Sequence, residues 1–155
     1  MTISQSDSLQ NSKIFLDTNT LIYLKFASLG FHKNTKSIFL NLAEHNNTFY
    51  ISNQVLREYI SSCTREKFHR FYEEVLFDCE ELKQTFKVLE DIEKVSISLL
   101  NLCKNYKVSG KQVHDANIVA TMESFSIPYI LTANVNDFTR FGDLINIIPI
   151  FEDTQ

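Results

Sequence analysis

The chain has 155 residues, and its 15 Lys plus Arg against 19 Asp plus Glu give a formal charge of −4. A chain of this length buries roughly two-thirds of the surface it exposes when unfolded, enough for one self-sufficient domain. Its 3 Gly and 2 Pro exclude collagen-like and low-complexity classes and leave no glycine-rich phosphate loop to assemble, while net acidity disfavours coating nucleic acid through bulk charge.

Residues 1–12, MTISQSDSLQNS, carry no basic or apolar leader region and read as a flexible N-terminus before a single domain over 13–151. KIFLD is a short apolar run closed by an acid, and TNTLIYLKFASLG follows with the spacing of a helix that stops at Gly30. A helix over 33–46, a strand at TFYIS (48–52) and a helix in NQVLREYISSCT capped by Asn53 come next. Residues 65–78 keep helical spacing through Phe68, Phe71, Tyr72, Val75 and Leu76, which makes Phe68 and Phe71 core positions. Periodicity leaves 82–92 ambiguous, with a short strand favoured over 85–89. A helix over 92–106, the helix QVHDANIVATMESFS, the strand PYILT and the β-branched run LINIIPI complete the chain. Alternating strands and helices with continuously apolar strands predict an α/β three-layer sandwich: a mainly parallel sheet of about five strands flanked by helices.

Cys63, Cys79 and Cys103 are odd in number and lack CxxC spacing, so neither a disulfide framework nor a zinc ribbon is expected. No apolar stretch approaches the roughly 20 residues of a membrane span. A soluble cytoplasmic protein is the expectation.

Ligands of open parallel sheets collect beyond the carboxyl ends of the strands. Asp17 closes the first strand, Glu58 lies in the helix after the second, and Asp115 sits in the first turn of the helix before YIL, with Thr132, Asn134 and Asp137 after it. Side chains of a first turn lean back toward the helix start, so Asp115 can face Asp17. Converging carboxylates repel unless a cation holds them, and an all-oxygen set suits Mg²⁺ or Mn²⁺ rather than zinc. Such an ion acidifies water and neutralises charge on a phosphodiester, which is nuclease chemistry.

IFLDTNTLIYL, LREYI, HDANIVAT and ILTANVNDF, in this order, resemble the successive segments of PIN-domain ribonucleases, the toxins of toxin–antitoxin pairs in particular. The resemblance runs from about Lys13 to Ile150 and leaves 61–107 without a matching segment. It implies a parallel sheet with the first strand central, and Mg²⁺- or Mn²⁺-dependent RNA cleavage to 5′-phosphate and 3′-hydroxyl ends. By matched position, it makes Asp17, Glu58, Asp115 and Asp137 the catalytic metal ligands, supported by Asn19, Thr132 and Asn134. Either Asp137 or Asn134 completes the set. It further implies an RNA substrate and a protein antitoxin that blocks the acidic groove, and it leaves a homodimer open.

Each acid also has a plainer reading: Asp17 as a helix cap, Glu58 as a surface acid paired with Arg57 or Lys67, Asp115 as a partner of its helix dipole, Asp137 as a turn residue. Two basic groups offer phosphate contacts. Arg65, Lys67 and Arg70 form one; Lys104, Lys107 and Lys111 form the other, which leads into Asp115 and is the expected RNA contact. The four histidines have no ligand spacing. Rival functions are a catalytically silent PIN-like module that binds RNA or protein, and a haloacid-dehalogenase-like phosphatase suggested by FLDTNT, where Asn19 replaces the acid such chemistry needs.

Overall fold

Helix and strand boundaries follow the sequence pattern closely in the computed structural model, which describes residues 9–155. The N-terminal stretch expected to be flexible lies, for residues 1–8, outside the described residues. Residues 9–12 are tied to the body: Leu9 is buried, Asn47 Nδ2 donates to its carbonyl (2.9 Å) and the Ser12 amide donates to Asn47 Oδ1 (2.9 Å).

Five strands form one parallel sheet in the order β3-β2-β1-β4-β5: β1 (Lys13–Leu16), β2 (Thr48–Ser52), β3 (Lys87–Leu89), β4 (Tyr129–Thr132) and β5 (Asn146–Pro149). Phe15 lies level with Tyr50 on one side and with Ile130 on the other. Successive strand residues point to opposite faces, so the complete burial of Ile14, Phe15 and Leu16 means that β1 is covered on both. Among the described residues, seven helices flank the sheet: α1 (Thr18–Lys25), α2 (His32–Glu44), α3 (Asn53–Cys63), α4 (Tyr72–Thr85), α5 (Glu93–Tyr106), α6 (Gln112–Ser124) and the single turn α7 (Val135–Phe138). This is the expected three-layer α/β sandwich with β1 central. Because β2 and β3 extend to one side of β1 and β4 and β5 to the other, the order reverses between β1 and β4, where parallel sheets open a crevice at their carboxyl ends. No helix among the described residues is long and apolar enough to cross a membrane.

Three local expectations are corrected. The cap of α3 is Ser52, whose Oγ accepts from the Val55 amide (3.4 Å), because Asn53 already has helical geometry. α1 ends at Lys25, with Phe26 extended, well before Gly30. Residues 65–78 are not one helix: a 3₁₀ turn at Glu66–Phe68 breaks at left-handed His69 (φ 47°), and α4 starts only at Tyr72. That restart changes the buried face. Val75 is fully buried, whereas Phe71, placed in the core from its spacing, stands 76% exposed ahead of the helix and Phe68 is half-buried.

A polar pin joins the layer of helices beside the site. Asp78 of α4, buried, accepts from Tyr59 Oη of α3 (2.8 Å), pairs with Lys25 Nζ of α1 (2.8 Å) and is bonded by Arg70. Burial pushes its carboxyl up, but the bonds from Arg70, Lys25 and Tyr59 outweigh that and hold it below the ordinary carboxylate value.

Candidate functional site

Asp17 emerges where β1 ends and caps α1: its Oδ1 accepts from the Thr18 amide (2.8 Å). Its Oδ2 accepts from Thr132 Oγ1 at the end of β4 (2.7 Å) and from Asn19 Nδ2 (2.9 Å). Asn19 Oδ1 in turn accepts from the Ala133 amide (3.0 Å), and Thr132 Oγ1 accepts from the Asn134 amide (3.0 Å). Asn19 and Thr132 thus lock the carboxylate across the β1–β4 crevice. With its amide spent as a donor, Asn19 has no acid or base to offer phosphatase chemistry.

Glu58 projects from the second turn of α3 and is gripped at both oxygens. Thr18 Oγ1 donates to Oε2 (2.7 Å) and Gln54 Nε2 donates to Oε1 (2.7 Å). Gln54 is itself buried; its Nε2 also donates to the His114 carbonyl (2.9 Å), and its Oε1 accepts from Asn117 Nδ2 of α6 (2.6 Å). One amide therefore couples the helix of Glu58 to the first turn of the helix of Asp115. Sequence reading missed Gln54, although its position four residues before Glu58 is the helical spacing at which side chains meet.

Asp17, Glu58 and Asp115 line one open cleft of about 880 Å³, together with Asn19, Gln54, His114 and Asn134. Exposed Asp137, on α7, lies in an adjoining recess that shares Asn134 with the cleft. Burial is the main cause that raises Asp17 to about 6, and Glu58 adds to it against the bonds from Thr132, Thr18 and Asn19. Asp115 is pushed up to about 7, by burial first and then by the charges of Asp137, Asp17 and Glu58, with Arg140 opposing them. Arg140 is a second residue that sequence reading missed. It is held at the start of α6 by donating to Gln112 Oε1 (3.0 Å).

Of the three lysines expected to contact RNA, Lys111 lines the cleft, while Lys104 lies in the last turn of α5 and Lys107 is its cap. Helix α5 reaches the cleft through Leu99, not through the lysines near its end. Arg57 and Arg65 line the wall formed by α3 and its end. Arg57 pairs with Asp91 (3.0 Å), not with Glu58. Lys67 and Arg70 point elsewhere, onto the Phe68 ring and into the Asp78 pin.

A divalent ion was expected here, so the donors have to be tested against it. Among the described residues no three His, Cys, Asp or Glu side chains form a finished metal cage, and none of the four acids takes part in an ion pair. The four acids supply oxygen donors alone, without thiolate or imidazole, and Arg140 opposes their charge at Asp115. Such a donor set fits a hard, largely hydrated cation held directly or through water, and Mg²⁺ keeps several waters in such sites.

The fold has counterparts. A family model described as "PIN domain" matches residues 14–144. Among solved structures, VapBC-1 from nontypeable Haemophilus influenzae is 23% identical with a TM-score of 0.67, covering 88% of this chain and 97% of that one. VapBC2 from Rickettsia felis, bound to a DNA fragment from its promoter, is 20% identical with a TM-score of 0.67 over 90% and 99% of the two chains. VapC20 from Mycobacterium tuberculosis, described as a Sarcin-Ricin loop cleaving toxin, is 16% identical with a TM-score of 0.64 over 81% and 93%. No curated protein sequence matches the chain. With the family model spanning most of its length and the same topology recurring in these structures, the chain belongs to the PIN domain family.

Proposed function

We propose that this PIN-domain protein is a Mg²⁺- or Mn²⁺-dependent endoribonuclease, the toxin of a toxin–antitoxin pair, with Asp17, Glu58, Asp115 and Asp137 as its metal-binding acids. The observation that carries the reading is the gathering of acids from four separate elements around one crevice and its adjoining recess, with buried Asp17 and half-buried Asp115 both raised well above ordinary carboxylates. Surface acids serving as caps or dipole partners would not raise one another. A bound divalent ion supplies an acidified water and counter-charge for the phosphodiester. The protein's part is to fix the ligands before the ion arrives: Thr132 and Asn19 orient Asp17, and Thr18 and Gln54 orient Glu58. Arg57, Arg65 and Lys111 on the cleft walls offer counter-charge to the flanking phosphates. An antitoxin partner is supported by the VapBC complexes among the structural neighbours.

The purified chain should cleave single-stranded RNA in Mg²⁺ or Mn²⁺, lose activity in excess EDTA, and lose it again in Asp17→Asn. RNA binding without cleavage by the folded wild type under those conditions would instead identify a silent binding module, and undiminished cleavage in EDTA would rule out the metal.

A further inference from the structure

Next to the acidic cleft lies a recess of about 470 Å³, lined by Phe31, Phe151, Asn134, Asn136 and Asp137 among others, and none of the chemistry described so far uses its aromatic wall. Phe151 is 58% exposed, a conspicuous position for a phenyl ring so near a polar site. It is not on a loose tail. The Asp153 carboxylate accepts from the Lys33 and Asn34 amides at the start of α2 (3.1 and 2.8 Å), and the Asp153 amide donates to the Gly30 carbonyl (2.6 Å). Asn34 Nδ2 donates to the carbonyls of Phe151 (3.1 Å) and Glu152 (2.8 Å). Five hydrogen bonds thus fix the segment 151–153 that carries this exposed ring beside the recess. Phe31 is equally fixed, stacked on Tyr23 with ring centroids 4.6 Å apart and planes inclined by 16°.

We propose that this recess is a stacking subsite for an unpaired nucleobase of the RNA, one that flanks the phosphate held in the acidic cleft. The inference rests on the ribonuclease reading above and adds to it where the neighbouring nucleotide goes. Asn134 lines both cavities, so a strand whose phosphate lies among the acids has a continuous path into the recess. Aromatic faces held in advance stack any base without choosing its sequence, and the exposed amide of Asn136 presents a donor and an acceptor to a base edge. Lys33 and Lys36 are exposed on the opening turns of α2, the helix end to which the tail is tied, and supply positive charge beside a region otherwise acidic from Asp137 and Glu152. The volume suits one flat base with its sugar rather than a helix or strand of a partner protein, for which pockets of a few hundred cubic ångströms are small.

The test uses the full chain carrying Asp17→Asn, which binds without cutting, and short single-stranded oligoribonucleotides with 2-aminopurine moved one position at a time. Quenching should appear at one position beside the cleavage site defined with wild-type protein. Phe151→Ala should abolish that quenching and weaken binding about 5- to 150-fold, the range of one stacked base, while Phe151→Trp retains both. An abasic nucleotide at the same position should weaken binding to Asp17→Asn as much as Phe151→Ala does, and add nothing to the double variant. Loss of affinity in Phe151→Ala that is the same with the abasic oligonucleotide as with the complete one overturns the subsite, as does unchanged binding in Phe151→Ala. Loss of a protein partner with RNA binding intact reassigns the recess to that partner. Should wild type bind no RNA at all, the ribonuclease reading itself fails, and the subsite with it; cleavage indifferent to Phe151 removes only the subsite.

Discussion

Burial outweighs the three neutral hydrogen bonds that Asp17 accepts, and with the charge of Glu58 it raises the carboxyl to about 6 in the fold, against 3.8 for the ordinary side chain. Because the folded value is raised, the stabilisation it confers is complete below about pH 4 and is lost as the pH rises through 6; Asp115 repeats the pattern up to about 7. For buried Asp17 the full swing is on the order of 3 kcal/mol. In chelator, the urea midpoint should therefore fall between about pH 5 and about pH 7.5, and Asp17→Asn should flatten this slope while abolishing cleavage. An equally steep slope in the variant would mean that Asp17 is not the group responsible. Gln54 poses a different question at the same scale. Removing its amide in Gln54→Leu leaves the Asn117 amide and the His114 carbonyl without their buried partner, which should cost about 2–3 kcal/mol of stability. It also frees Glu58 at one oxygen, so calorimetric affinity for Mn²⁺ should drop about tenfold, an effect that a purely structural role would not produce.

At the level of elements, the site depends on how α1, α3 and α4 are clamped to one another. Asp78 of α4 binds α1 through Lys25, α3 through Tyr59 and the segment ahead of α4 through Arg70, and its lowered carboxyl stabilises the fold above the ordinary carboxylate range, a contribution lost in acid. This is the reverse of the Asp17 dependence and occupies a lower pH window. Asp78→Ala leaves half-buried Arg70 and buried Tyr59 without their acceptor and should cost about 3 kcal/mol, read by urea denaturation, with a smaller effect at low pH where the wild-type carboxylate is itself protonated. The misjudged start of α4 belongs here too. Helical spacing runs unbroken from Phe68 to Leu76, yet His69 takes a left-handed conformation and Arg70 turns inward to reach Asp78. A tertiary ion pair thus interrupted a helix that local periodicity favoured.

For the molecule as a whole, the metal reading makes stability and ion binding one quantity. An ion that binds the folded state alone at one hundred times its dissociation constant adds about 2.7 kcal/mol, and for a domain of this size that raises the melting temperature by roughly 5–10 °C. Mn²⁺ should produce such a shift at neutral pH in wild type and not in Asp17→Asn; no shift in either would leave a protein-binding PIN module. By itself the sequence determined the sheet. The apolar runs IFL, FYI and YIL suit buried strands, and each is followed by a polar residue, Asp17, Ser52 and Thr132, that has to emerge at the carboxyl edge, so the α/β layers and the positions of Asp17 and Thr132 were legible from pattern alone. The phase of Asp115 in its helix was legible for the same reason. Tertiary structure decided what touches what across elements. That Glu58 answers to Thr18 and Gln54, that Asp137 stands in an adjoining recess, that Arg140 opposes the acids while Lys104 and Lys107 stay away from the cleft, and that the C-terminal tail presents Phe151 beside it, all depend on distances between segments far apart in the chain. Periodicity encodes which face of an element is buried, but the partner met on that face is set only when the elements pack.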